Sequence, residues 1–146
     1  DPQSKLAIWQ MIEKLKREGC SIFLTTHDMD EAHRLSSKLA IIDHGKIIAY
    51  GTATELIEKN LKQDTLEFKI TKESLEKLKE KLSWLDEIKK IGPDSYLFTS
   101  FDLQAKLSEL LSLSHNLKLP VESFSLKPKT LEEVFLRLTG RSMRHA

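Results

Sequence analysis

Residues 21–35 read SIFLTTHDMDEAHRL, and the parsing of this stretch sets the fold. Ser21 to Thr26 is short, apolar and partly β-branched, which predicts a strand buried on both faces, as in a parallel sheet. The run stops at His27. Asp28 and Glu31 follow with capping-box spacing, so a helix is predicted from about Met29 to Ser36 with Ala32 and Leu35 inward. A titratable residue at the C-terminal end of a central strand sits where open α/β sheets place their chemistry. An imidazole there can donate to, or accept from, a phosphate oxygen or a water. The plainer alternative is that His27 begins a loop and hydrogen-bonds backbone. A metal site among His27, Asp28, Asp30, Glu31 and His33 fits poorly, because there is no His-x-x-x-His pair and no cysteine cluster. Asp28 and Glu31 serve better as a cap, where negative charge suits the helix dipole. No metal ligand is assigned.

Upstream, Leu6, Ile8, Trp9, Ile12 and Leu15 keep helical spacing between Pro2 and Glu18, and Gly19 is the expected stop. Asp1 is a good N-cap and Pro2 suits the first helical position. The opening Asp1-Pro2-Gln3-Ser4 has no initiator methionine and starts abruptly at a helix, so the chain is expected to be a piece of a longer one. A helix followed by a buried strand is half of a βαβ unit. Downstream, Leu39 to Ile42 and Lys46 to Tyr50 flank Asp43-His44-Gly45, a hairpin signal with Gly45 supplying positive φ. Gly45-Lys46 is not a phosphate loop: Ala40 stands where the leading glycine belongs, and Ile47 where a Ser or Thr belongs. Thr52 and Glu55 repeat the capping-box spacing and open a helix through about Asn60.

Residues 60 to 64 are polar and non-periodic, and a domain boundary is placed there, dividing the chain into residues 1–63 and 64–146. In the second part Leu66, Phe68 and Ile70 alternate with polar residues, the mark of a half-buried strand. Thr71 can cap a helix carrying Leu75, Leu78 and Leu82. Leu85 to Ile91 and Tyr96 to Phe101 flank the turn-like Gly92-Pro93-Asp94-Ser95. Asp102 can cap a helix carrying Leu103, Leu107, Leu110 and Leu111. Val121 to Leu126 is a strand with Glu122, Phe124 and Leu126 on one side. The order is βαββαβ, the ferredoxin-like arrangement. A last helix follows Pro128, capped by Thr130 with Glu133, faced by Leu131, Val134, Phe135 and Leu138, and stopped by Gly140. Ser142 to Ala146 is expected to fray.

The 146 residues are 40% apolar and 31% charged, with a net charge of +1, which is globular composition. The two parts are each balanced, 9 basic against 9 acidic residues and then 14 against 13, so no basic half argues for nucleic acid. The single Cys20 has no partner for an internal disulfide. It precedes an apolar run and reads as a buried, reduced thiol, which suits a cytosolic setting. No stretch has the length and apolarity of a transmembrane helix, and no signal peptide is expected. Any membrane link is therefore expected to run through a partner. Leucines never sustain heptads, and aromatics do not interleave with basic residues. Composition and spacing alone stop at an α/β segment followed by an α+β domain, with no catalytic set.

Residues 24–52, LTTHDMDEAHRLSSKLAIIDHGKIIAYGT, resemble the end of an ABC-transporter nucleotide-binding domain. Such domains carry a strand ending in Thr-His, an acidic helix start with Glu-Ala, an Ile-x-x-Gly-Lys-Ile hairpin and a Gly-Thr before Glu-Leu. Asp1-Pro2 resembles the end of the D-loop. The tail from Thr130 to Arg141 is similar to the end of drug- and antibiotic-export ATPase subunits of the daunorubicin-resistance type, which carry an extra C-terminal domain.

The resemblance implies a fold: the end of a P-loop NTPase-type domain, then an α+β ferredoxin-like accessory or regulatory domain with an extra C-terminal helix. It implies that His27 is the switch histidine of the H-loop, contacting the ATP γ-phosphate and helping to place the attacking water, a positioning role suited to phosphoryl transfer. Asp1 becomes the D-loop aspartate at the dimer interface. ATP and Mg²⁺ become the cofactors of the longer protein. A second ATPase subunit and a transmembrane permease become its partners, with no nucleic acid, at the inner face of the cell membrane. The sequence also departs from the family pattern. Walker A, Q-loop, signature and Walker B residues are absent, and lie upstream of Asp1 in the family. This chain alone is therefore expected neither to bind ATP tightly nor to hydrolyse it, and its first segment to be partly disordered or self-associating through open sheet edges. The alternative function is a regulatory or dimerisation module without catalysis.

Overall fold

The chain divides at two points rather than one. In the computed structural model, which describes residues 1–140, one unit is Asp1–Leu61 together with the described residues 130–140, and the other is Lys62–Lys129. The expected fraying of Ser142 to Ala146 lies outside the described residues.

In the first unit, helix α1 (Pro2–Arg17) starts as its sequence predicts. Asp1 is the N-cap, its carboxylate accepts from the Gln3 N–H, and proline occupies the first turn. Gly19 ends it at φ 86°, with its own N–H bonded to Lys16 O and that of Cys20 to Leu15 O. That pair of bonds is a Schellman motif, which needs a left-handed residue between helix and exit. The helix buries none of its side chains, although Leu6, Ile8 and Leu15 keep helical spacing.

The predicted buried strand at Ser21 to Thr26 is not formed. These residues are extended but unpaired, and Phe23 is 97% exposed. A parallel strand is held only by neighbours on both sides, and no described strand lies beside this one. Cys20 is exposed for the same reason, against the expectation of a buried thiol. Helix α2 (Met29–Leu35) follows at the predicted place. Strands β1 (Leu39–Asp43) and β2 (Lys46–Gly51) pair antiparallel around His44 and Gly45. Both turn residues have positive φ, 48° and 72°, as a two-residue hairpin loop with the right twist requires. Helix α3 (Ala53–Asn60) has a complete capping box between Thr52 and Glu55.

Helix α6 (Leu131–Thr139) is capped by Thr130 and stopped by Gly140 at φ 70°. It belongs by packing to this first unit, where a division at residue 63 would have placed it with the second. Leu131, Val134 and Phe135 are buried in one cluster with Ile41, Ala53, Leu56 and Leu61. Linear order could not show this, because the helix packs against residues about seventy to ninety positions away in the chain rather than against its sequence neighbours.

The second unit holds β3 (Asp64–Lys69), α4 (Lys72–Lys79), a 3₁₀ turn at Ser83–Glu87, β4 (Lys89–Gly92), β5 (Ser95–Ser100), α5 (Leu103–Asn116) and β6 (Ser123–Leu126). Its four strands form one sheet in the order β4-β5-β3-β6, every adjacent pair antiparallel. Leu66, Phe68, Tyr96 and Phe98 turn to a core completed by Leu75, Leu78, Trp84, Leu85 and Leu110. Trp84 lies against Phe98 with ring centroids 4.5 Å apart. The residues Leu85 to Glu87, predicted as strand, belong to the 3₁₀ turn. Asp102 sits at the N-cap of α5 but does not cap it. Its carboxylate accepts from Ser100 Oγ at 2.5 Å instead. The chain as a whole is mixed α/β with two separate sheets, and no described helix is long and apolar enough to cross a membrane.

Phe135→Ala removes a buried ring from the first unit's cluster and should cost about 3–5 kcal/mol there. Denaturant unfolding followed by hydrogen exchange should show lost protection at Ile41 and Leu56 and unchanged protection at Phe68 and Leu110.

Candidate functional site

His27 is the sequence's candidate, and its neighbours decide what it is free to do. Asp28, next to it, is fully engaged. Its Oδ1 accepts from the N–H groups of Asp30 (3.0 Å) and Glu31 (3.1 Å), capping α2, and its Oδ2 takes the Lys5 ammonium. Glu31 does not complete the predicted capping box. Its Oε1 accepts from the Trp9 indole N–H at 2.9 Å, and its carboxylate also takes the Thr26 hydroxyl. Thr26 Oγ1 in turn accepts from the Asp28 N–H at 3.0 Å. His27, between Thr26 and Asp28, is exposed, and its ring bonds no backbone or side chain among the described residues. His27 thus lies in a bend before α2, as the loop alternative expects and not at the end of a strand, but its ring makes no backbone bond.

The clasp extends along both helices. The Trp9 ring has Lys5 Nζ and Arg34 Cζ each 5.1 Å from its centroid. Arg34 also reaches Glu13 at 3.4 Å, and Lys16 Nζ donates to the Leu35 carbonyl at 2.8 Å, at the electronegative end of α2. The predicted residues His27 and Asp1 are both at helix starts, and Lys5 links the two. Its N–H bonds Asp1 O at 3.1 Å while its side chain holds Asp28. Asp1 spends its own carboxylate on Gln3 N–H (3.0 Å) and Ser4 Oγ (3.5 Å).

Sequence reading missed this clasp. A signal existed: Lys5, Trp9, Glu13 and Lys16 recur every three or four residues, one face of a helix. Spacing within α1 names no partner, however, and the partners lie on α2.

The electrostatics follow from the bonds. The Lys5 hydrogen bond, then the capping N–H groups, hold the Asp28 carboxyl below its usual value. The Thr26 and Trp9 donors do the same for Glu31. Asp28 raises Lys5 in return. All three favour the charged forms at neutral pH.

Can these residues hold a nucleotide? His27 offers one free imidazole. The one Gly-Lys pair, Gly45-Lys46, lies in the β1–β2 hairpin and not at a helix start, so it cannot cradle phosphates. No described group of three or more His, Cys, Asp or Glu side chains is placed to hold a metal ion. Among the described residues, then, no phosphate-cradling loop or metal-type cluster is formed around His27.

No protein-family model matches the chain. Its similarity to named proteins nevertheless runs along nearly its whole length. It is 36% identical over 144 residues to Nod factor export ATP-binding protein I of Ralstonia nicotianae, covering 99% of this chain and 44% of that protein. It is 37% identical over 144 residues to the protein of the same name in Cupriavidus metallidurans, covering 99% and 45%. It is 33% identical over 144 residues to the daunorubicin/doxorubicin resistance ATP-binding protein DrrA of Streptomyces peucetius, covering 96% and 43%. The chain is therefore homologous to part of the ATP-binding proteins of ABC transporters. These three relatives are proteins of export or of drug resistance, and the chain spans less than half of the length of each.

The clasp should loosen in acid. Asp28 and Glu31 have lower proton affinity folded than unfolded, so the unfolded chain binds more protons in that range. Their contribution is present above about pH 4 and is lost as pH falls through the folded values. The Lys5 share has the opposite sign and fades only as pH rises past the usual lysine range. NMR of the Trp9 indole N–H should show its hydrogen-bonded shift collapse only as pH falls below the usual carboxylate range, through the lowered folded value of Glu31. Asp28→Asn should reproduce part of that loss at pH 7, with Trp84 unaffected.

Proposed function

We propose that this chain is the part of an exporter's ATP-binding subunit that carries the switch histidine together with an accessory domain. The longer protein, on this reading, couples ATP hydrolysis to export. It works as a dimer of ATP-binding subunits beneath a transmembrane permease, at the cytoplasmic face of the membrane, with ATP and Mg²⁺ as cofactors. The homology to export ATP-binding proteins carries the proposal. The relatives' names differ in cargo, Nod factor against daunorubicin and doxorubicin, so kinship alone does not choose among cargoes.

His27 would contact the γ-phosphate and help to orient the attacking water. Support comes from its surroundings: the Thr26 hydroxyl and the Asp28 and Glu31 carboxylates are already bonded, while the His27 ring remains open to a ligand. Asp1 would lie at the subunit interface. Phosphoryl transfer depends on positioning and charge, so one misplaced contact is costly. Residues 62–129 would form a ferredoxin-like βαββαβ accessory domain. The antiparallel order β4-β5-β3-β6, with α4 and α5 as the two connections, supports it. Its independent core favours a second role as an interaction or regulatory module.

In the longer protein, His27→Ala should lower ATP turnover by roughly a hundredfold or more while leaving the melting temperature nearly unchanged, because the ring makes no structural bond. Turnover near wild type would refute the assignment. Isothermal titration of this chain with Mg·ATP should give no micromolar binding, since one imidazole replaces no phosphate cradle.

A further inference from the structure

The sheet of the second unit has two edges, and they are built differently. At one edge, β4 carries Lys89 and Lys90 and a register irregularity between Lys90 and Gly92. Lysines and bulges are the devices by which proteins keep a sheet edge from pairing with another chain. The other edge, β6, has none of them within its four residues, although the Glu122 N–H just before it bonds the Lys69 carbonyl that lies opposite Ser123, an irregularity at that end. Ser123-Phe124-Ser125-Leu126 contains no charge and no proline. Its register on β3 is regular, Leu126 opposite Leu66 and Phe124 opposite Phe68. The Lys127 N–H bonds Thr65 O at 2.8 Å, so by the alternation of an antiparallel ladder Ser125 also faces β3. Phe124 and Leu126 then direct their N–H and C=O outward, to the open edge. Their side chains, on the same face as buried Leu66 and Phe68, are 50% and 64% exposed.

We propose that the open edge of β6 pairs antiparallel with β6 of a second copy of this chain. This rests on the reading of residues 62–129 as an interaction module and names its partner. The strand is self-complementary. A two-fold axis at Ser125 sets Phe124 of one copy opposite Leu126 of the other, twice, so that the outward N–H and C=O groups meet and four exposed apolar side chains cover one another. Charge agrees: Glu122 precedes the strand and Lys127 follows it, neither in an ion pair, and antiparallel pairing brings the acidic end of each copy to the basic end of the other. The product is one continuous sheet with the helices of both copies on the same side.

The axis predicts a register that chemistry can read. Ser125 lies opposite its own counterpart in a non-hydrogen-bonded pair, with Cα atoms about 4.5 Å apart, within disulfide reach. In a Cys20→Ser background, Ser125→Cys should form a disulfide-linked dimer as the main product of mild oxidation. Ser108→Cys, exposed on α5, should not. Adding Phe124→Lys or Leu126→Lys to the Ser125→Cys chain should abolish the linkage, with circular dichroism confirming that each variant is folded. Linkage of Ser125→Cys no greater than that of Ser108→Cys overturns the proposal, as does linkage that survives the lysine substitutions. No nucleotide enters this experiment, so its failure leaves the ATPase reading standing, and the turnover of the His27→Ala protein tests that reading separately.

Discussion

The first unit depends on apolar surface supplied from far along the chain. Ile41 from β1, Ala53 and Leu56 from α3, and Leu61 have too little to bury among themselves. Leu131, Val134 and Phe135 of α6 complete the cluster. Burial of such side chains stabilises by about 1.5–3 kcal/mol each, so three of them are a large share of what a small unit can muster. The second unit is arranged to permit this. Its start and end are tied together, Asp64 to Lys129 by an ion pair of 3.0 Å and Thr65 O to the Lys127 N–H. A folded segment whose two ends meet can sit within another unit's sequence without pulling that unit apart.

The clasp between α1 and α2 rests on a different force. α1 buries nothing, and its hold on α2 is a set of partly exposed ion pairs, one indole hydrogen bond and cations over Trp9. Interactions of this kind are individually weak and salt-sensitive. Their effect is to order, more than to stabilise. They spend Asp28, Glu31 and Thr26 on structure and leave the His27 ring unbonded.

Much of the local structure was legible. Asp1, Thr52, Thr71 and Thr130 cap the helices they were expected to cap, and Gly19 and Gly140 stop theirs. His44-Gly45 makes the hairpin. Capping and turn formation are decided within a few residues, so they can be read from a few residues. The misreadings share a cause. Ser21 to Thr26 has a buried strand's composition, and Cys20 a buried thiol's setting, but burial requires neighbours that composition does not supply. Asp102 was assigned to cap α5, and Ser100, two residues back, competes for its carboxylate.

By itself, the sequence determined where helices begin and end, where the hairpin turns and which residues alternate toward a sheet. These follow from φ preference, side-chain capping and hydrophobic period, all short-range. Only the tertiary structure decided that α6 returns to the first unit, that Trp9 and Lys5 hold the start of α2, and that β6 leaves an uncharged edge open. Each of those depends on surfaces brought together from distant parts of the chain, where area and complementarity, not local propensity, select the partner.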